Sequence, residues 1–313
     1  MEQNFFNWGL SNSNPLRAQL HWQHSSVRQP LNLDFHEALH ITIRFAGKYE
    51  SKAGNCFYEK EGIVCYLVAP WEPHGSISHG RGSLLLMTAV DPKKILHLIP
   101  GYEEKFQLLL QQPPEKRTEF FLKYIPHAFF LEVVEAFTGK ALLEKFLMCY
   151  HKGEVPTPHL VNITSASSLL LGWNALGNLL TKLLIAIPDE DLDWTLKPHA
   201  WEVLVPVFQC MAEKPFRRLS AEEGAELCNV SLSSFRKLFR QAAGCAFAEF
   251  ERNSRLMGAV AELSEKKLII KELSEKYGFY DMSHFIHLFR GRFGKTPHAF
   301  VAELEKDRKQ ENE

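Results

Sequence analysis

The chain has no excess charge of either sign, no closely paired cysteines and no unbroken apolar run of membrane length. Its 36 Lys and Arg are set against 37 Asp and Glu, a formal net charge of −1, so composition implies no general affinity for polyanions. The six cysteines (Cys56, Cys65, Cys149, Cys210, Cys228 and Cys245) form no C-x-x-C pair and no metal-ligand spacing. That scatter predicts reduced, mostly buried thiols and excludes a disulfide framework. The opening MEQNFFNWGLSNSNP lacks the basic start and apolar run of a signal peptide. The most apolar stretch, 167–187, is broken by Asn174, Asn178 and Lys182, which argues against a membrane span. A cytoplasmic protein without a membrane partner is the expectation. There is no P-loop, no G-x-S-x-G elbow, no dinucleotide fingerprint and no low-complexity tract, so the enzyme classes those motifs mark find no support.

What is present is unevenly distributed. Residues 213–300 hold 15 Lys/Arg against 11 Asp/Glu (15 − 11 = +4), whereas 1–212 hold 18 against 21 (18 − 21 = −3). A mildly basic C-terminal module on a mildly acidic body suits nucleic-acid binding confined to one end. With 313 residues, the chain is long enough for two domains. Residues 31–90 alternate like strands in HITIRF (40–45), CFYEKEG (56–62) and GSLLLMTAV (82–90), with a near-continuous apolar run in IVCYLVAP (63–70). Gly, Pro and Asn turns separate them, which predicts a small barrel or jelly roll.

From residue 92 the period becomes helical, over 92–98, 102–111, 118–150 and 165–187. In the last of these, Leu169, Trp173, Leu176, Leu180, Leu183 and Ile187 alternate steps of four and three, the spacing of a coiled-coil seam. Leu170, Gly177 and Leu184 make a second stripe beside it. Two readings follow: a seam that pairs two chains, or a helix packed wholly within its own domain. The acidic, proline-bounded IPDEDLDWTLKP (187–198) reads as a linker. The expected organisation is α+β: a β-barrel with following helices over 1–187, a linker over 188–197, and an all-α domain over 198–313.

Within that last domain two helix-turn-helix units are predicted. In the first, Ser220 and Glu223 can form a capping box for a helix at 221–228. Asn229-Val230 make the turn, and Ser231 caps a second helix running to about 242. Phe235, Leu238 and Phe239 face inward; Ser233, Arg236, Lys237 and Arg240 face out. Arg236 can take guanine through O6 and N7, and Lys237 and Arg240 suit bases or phosphates. In the second unit a helix at 268–276 leads through Tyr277-Gly278-Phe279 to a reading helix capped by Asp281, with Ser283, His284, His287 and Arg290 off the buried stripe.

The two units are joined by G-x-x-F and R-L-x-x-A-x-x-x-L and end in GF-x-D-x-S-x-F-x-x-x-F-x-x-x-x-G-x-x-P. This order resembles the AraC/XylS family of bacterial transcription regulators almost without gaps from Leu219 to Phe300. The resemblance implies a seven-helix module whose reading helices enter successive major grooves of operator DNA about 34 Å apart. It places base-reading positions on Ser233, Arg236 and Lys237, and on Ser283, His284 and His287. The family commonly has Arg where this chain has His287, and a small Ala where it has Ser274. A neutral His makes a weaker contact, so the first unit is expected to carry more base specificity. The second should lean on Arg290 and phosphate contacts.

Many family members carry an N-terminal cupin-like barrel, and FHEALHITIRFAG and EKEGIVCYLVAPWEPH look similar. The residue content is a barrel mouth with His36, Arg44, Tyr66, Trp71, Glu72 and His74, an aromatic face with polar groups suited to a small polar effector such as a sugar. His36 through His40 spell H-E-x-x-H, but they run into the strand ITIRF. Residues four apart in a strand lie ~13 Å apart, too far to share an ion. With no H-x-H and with His36, His74 and His79 not at cupin-metal spacing, no metal and no cofactor are expected. The expectation is an effector-controlled regulator, a homodimer if the 165–187 stripe pairs two chains, with double-stranded DNA and RNA polymerase as partners. A cupin-type metal-dependent enzyme with an accessory DNA module is the alternative.

Overall fold

The computed structural model describes residues 10–23, 35–53, 56–60, 62–195, 199–265 and 269–302. Phe5, Phe6 and Trp8 lie outside them. The described residues fall into two compact units, divided between His199 and Ala200.

The first unit is built on one wholly antiparallel sheet. Its strands are β1 (Leu16–Gln23), β2 (Leu39–Ala53), β3 (Cys56–Glu59), β4 (Val64–Val68), β5 (His74–Val90) and β6 (Leu160–Ile163). The order is β3-β2-β5-β1-β6, with β4 also paired to β2. β1 was not expected, although Leu16, Ala18, Leu20 and Trp22 alternate inward in the sequence and are buried in the fold. β2 and β5 are much longer than the apolar patterns that announced them. They pair from Leu39↔Val90 to Ala53↔His74, with irregularities between Arg44 and Ala46 and between Gly47 and Lys48. A straight ribbon would set His40 and His74 ~45 Å apart, yet their rings stand 5.4 Å apart. The ribbon therefore rolls round on itself. Gly47 sits at the kink with φ +88°, and a Cβ there would meet the Gly82 carbonyl oxygen at 2.2 Å, so only glycine allows the two strands to approach.

Helices follow: α1 (Pro92–Ile95), α2 (Glu103–Gln111), α3 (Pro114–Tyr124), α4 (His127–Thr138), α5 (Lys140–Lys152) and α6 (Ala166–Ala186). The helical period over 118–150 is divided where Pro126 and Gly139 interrupt it. α6 packs against α3, α4 and β1. Leu176, Leu180, Leu183 and Ile187 are fully buried, and Leu169 and Trp173 are half-buried. The dimer-seam reading is thereby corrected for the four fully buried residues: they are core of their own unit, on a helix that packs against α3, α4 and β1. Leu170, read as facing the barrel, is 62 % exposed. The expected linker is also anchored. Lys123 and Tyr124 both bond Asp191, Gln112 bonds the Asp193 main chain, and Leu192 is buried. Among the described cysteines all five are free thiols, but only Cys65 is fully buried; Cys149, Cys210, Cys228 and Cys245 are half-buried.

The second unit is helical: α7 (Ala200–Val203), α8 (Val205–Glu213), α9 (Ala221–Leu227), α10 (Leu232–Ala243), α11 (Phe247–Glu265), α12 (Ile270–Lys276) and α13 (Met282–Phe293). Two phenylalanine cores hold it. Phe208, Phe235, Phe239, Phe247 and Phe250 interlock at ring distances of 5.0–6.3 Å. Phe279, Phe285, Phe289 and Phe300 do the same around α13. Such edge-to-face packing adds to plain area burial.

Candidate nucleic-acid interface

Both units are built by the same local chemistry. Ser220 and Glu223 form the full capping box of α9. At its end the Val230 N–H donates to the Ala225 carbonyl across Asn229, which has φ +52°. In the second unit the Phe279 N–H donates to the Ser274 carbonyl across Gly278, with φ +63°. These are matching left-handed helix ends. Ser231 caps α10 by accepting from the Ser234 N–H at 3.2 Å, and Asp281 caps α13 by accepting from the His284 N–H at 2.7 Å. The hydroxyl of Ser274, where the family commonly has Ala, is buried and satisfied by donating to the Lys271 carbonyl at 2.8 Å.

The caps set which faces look outward. Ser231, Ser233, Arg236, Lys237 and Arg240 are all exposed on or at the start of α10; Ser283, His284, His287 and Arg290 are all exposed on α13. Phe235 and Phe239, and Phe285 and Phe289, are fully buried beneath them. Arg236 leans on Glu222 at 3.5 Å, with both side chains more than half exposed. Ile286 is half-buried against the second core.

One constellation was missed. Glu251 and Arg255, one turn apart on α11, form a buried pair with Nε to Oε1 at 2.6 Å and Nη2 to Oε2 at 3.2 Å. Glu251 also accepts from the Leu219 N–H at the entrance to the first unit, at 3.2 Å. Arg255 donates to the Tyr277 carbonyl in the turn of the second unit, at 2.5 Å, and lies 5.0 Å over the Phe279 ring. The pair is a strut between the two units. An acid and a base four apart on a helix was the available signal, but nothing in spacing alone distinguishes it from a solvated surface pair.

In the N-terminal unit the expected effector residues divide. Arg44 is fully buried and its guanidinium is spent on the Lys60 and Gly62 carbonyls. Glu72 is buried against Arg117 at 2.5 Å and accepts from the Ala69 N–H at 2.8 Å. Both serve as buried internal fastenings of the unit, which corrects the expectation that they stand at an open barrel mouth. Tyr66 is buried in a cluster with Val64 and Leu85, while Trp71 is half-buried with φ +64°.

The structure does bring His36 and His74 together, and adds His40. The assumption of an extended strand through 36–40 fails because Glu37 and Ala38 form a bend ahead of β2. Ring centroids lie 4.3 Å (His36–His40), 5.0 Å (His36–His74) and 5.4 Å (His40–His74) apart. Burial holds His36 well below the usual histidine range, with His74 adding to it. Burial does the same at His40, helped by His36 and His74, and lowers His74 as well.

Residues 225–303 match the family described as a helix-turn-helix domain. The probable transcription factor PqrA of Proteus vulgaris is 28 % identical over 89 residues, 26 % of this chain and 73 % of that protein. The HTH-type transcriptional regulator YpdC of Escherichia coli (strain K12) is 32 % identical over 87 residues, 28 % of this chain but 30 % of that protein. Residues 225–303 are thus similar to the helix-turn-helix DNA-binding domains of transcription regulators. The chain spans less than a third of YpdC, and the family match is confined to residues 225–303. A crystal structure of ToxT from Vibrio cholerae O395 aligns over 93 % of this chain and 98 % of its own, at 11 % identity and a TM-score of 0.47.

Proposed function

We propose that the chain is a sequence-specific transcription regulator. Its AraC-type domain reads double-stranded operator DNA through two helices of unequal discrimination, under control of a small molecule taken by the N-terminal unit. The observation that carries the DNA reading is the Glu251–Arg255 strut, which ties the entrance of one unit to the turn of the other. Two capped helices with exposed polar faces, held at one spacing, suit two successive major grooves.

On α10, Arg236 offers the fork that fits guanine O6 and N7. Leaving Glu222 costs it little, since an exposed pair of this kind is worth about 0–1 kcal/mol. On α13 the two imidazoles each offer fewer donors than a guanidinium, so Arg290 and phosphate contacts supply grip there. Lys237, Arg240, Ser231, Ser233 and Ser283 complete the two faces. For the effector, Tyr66, Trp71 and the grouped His36 and His74 remain once Arg44 and Glu72 are set aside. A sugar is one class an aromatic face with a few polar groups accommodates. Pairing of two chains, if it occurs, uses a surface other than the buried α6 stripe.

The test is a selection of duplexes from a random library, followed by anisotropy titration of the full chain. The reading expects a selected site to bind at least ~10³-fold more tightly than random DNA. Equal affinity for both would sink it. A thermal-shift screen of mono- and disaccharides reads the effector half, a ligand raising the midpoint of the N-terminal unit.

A further inference from the structure

Three histidines from two stretches of the chain converge at the seam where the β2–β5 ribbon rolls back on itself. His36 precedes the bend at Glu37–Ala38, His40 lies in β2, and His74 opens β5. One ligand nitrogen from each ring lies within 4.8 Å of the other two. Ligand nitrogens around a tetrahedral zinc ion, with bonds of about 2.0–2.1 Å, stand about 3.3 Å apart. Each ring therefore needs to move by less than about 1 Å to close on a shared ion.

The surroundings fix the rings as metal ligands need them fixed. The Trp71 N–H donates to the His36 carbonyl at 2.7 Å, clamping the loop that carries His74 to the segment that carries His36. His74 Nδ1 lies 2.8 Å from the Glu72 main-chain oxygen. A carbonyl only accepts, so Nδ1 carries the proton and Nε2 presents its lone pair, the tautomer control typical of metal-bound histidine. The Glu72 carboxylate, bound by Arg117 and the Ala69 N–H, makes the 69–74 loop rigid. A cluster of three imidazoles without a thiolate suits zinc and its borderline neighbours rather than calcium or magnesium.

We propose that His36, His40 and His74 form a binding site for one divalent transition-metal ion of the zinc class. Three neutral imidazoles leave the ion's two positive charges uncompensated, and the nearest carboxylate, Glu72, is already paired with Arg117. The fourth position is therefore open to water or a small anion, on the side where His74 is only half-buried. Glu37 is exposed while both flanking histidines are buried, so the H-E-x-x-H spelling supplies ligands and not the general base of a zinc protease. The site does not depend on the DNA-binding reading. It would clasp the rolled ribbon at its seam, and an ion there makes the N-terminal unit responsive to metal supply.

The experiment uses the full chain, stripped with chelator and titrated with Zn²⁺ by calorimetry, with Co²⁺ as a spectroscopic stand-in. The expected result is one ion per chain and a tetrahedral Co²⁺ spectrum free of a thiolate charge-transfer band. His40→Ala and His74→Ala should each weaken Zn²⁺ binding by at least about 100-fold, the upper end of what loss of an outer-shell partner costs. His151→Ala, at an exposed position, should leave binding unchanged. Circular dichroism checks that the variants fold; if neither does, the wild-type stoichiometry and Co²⁺ spectrum decide. No stoichiometric Zn²⁺ on the wild-type chain, a thiolate band, or undiminished binding in folded His40→Ala and His74→Ala chains overturns the proposal.

Discussion

Arg255 uses one guanidinium for three tasks: it neutralises Glu251, caps the Tyr277 carbonyl and covers the Phe279 ring. It is buried to 6 % exposure, so removing it strands a buried carboxylate instead of exposing it to water. Arg255→Met should lower the stability of the C-terminal unit by about 3–5 kcal/mol, the range for breaking one partner of a buried pair. Adding Glu251→Gln should recover part of that loss, because the stranded charge is then gone. Urea unfolding of the full chain, following the transition of the second unit, checks both. At this scale the reading faces of α10 and α13 were legible from helical spacing, since Phe235, Phe239, Phe285 and Phe289 mark the buried stripe by themselves. Arg44 and Glu72 were not. A charged side chain looks the same in sequence whether it awaits a ligand or fastens a loop, and only the Lys60 carbonyl and Arg117 reveal the second use.

Among the elements, α6 and α9 give the sharpest tests. Because Leu176 is fully enclosed by its own unit, Leu176→Ala should cost about 2–5 kcal/mol as a core cavity. Sedimentation of the folded variant should show the same mass as the parent chain; a shift to a smaller species would restore the seam. In α9, a Cβ on Gly224 would stand 2.6 Å from Cζ of Phe235. Gly224→Ala should therefore destabilise the first unit by about 1–3 kcal/mol through overpacking, despite the better helix propensity of Ala. Spacing found the existence and type of most helices. It could not tell which of two stripes on α6 is the more deeply buried, because both are apolar. Nor could alternation extend β2 and β5 to their full length, since the polar half of each strand pairs through its backbone and carries no hydrophobic signal. The bend at Glu37–Ala38 has no turn residue of its own, and so the histidine cluster stayed hidden behind an assumed strand.

For the molecule as a whole, the division of labour between its two reading helices is the central claim. Arg290→Ala should weaken binding about equally on every duplex and reduce the slope of log affinity against log salt by about 1, as loss of a phosphate contact does. Arg236→Ala should behave differently. The most direct measurement is competition of the full chain and its Arg236→Ala variant across a selected operator, all its single-base variants and random DNA. The account predicts a loss of about 1–3 kcal/mol on the operator, with preference relaxed at one base pair and random-DNA affinity nearly unchanged. An equal loss on operator and random duplexes, with base preference intact, would make Arg236 a phosphate contact and contradict the claim that the first unit reads the sequence.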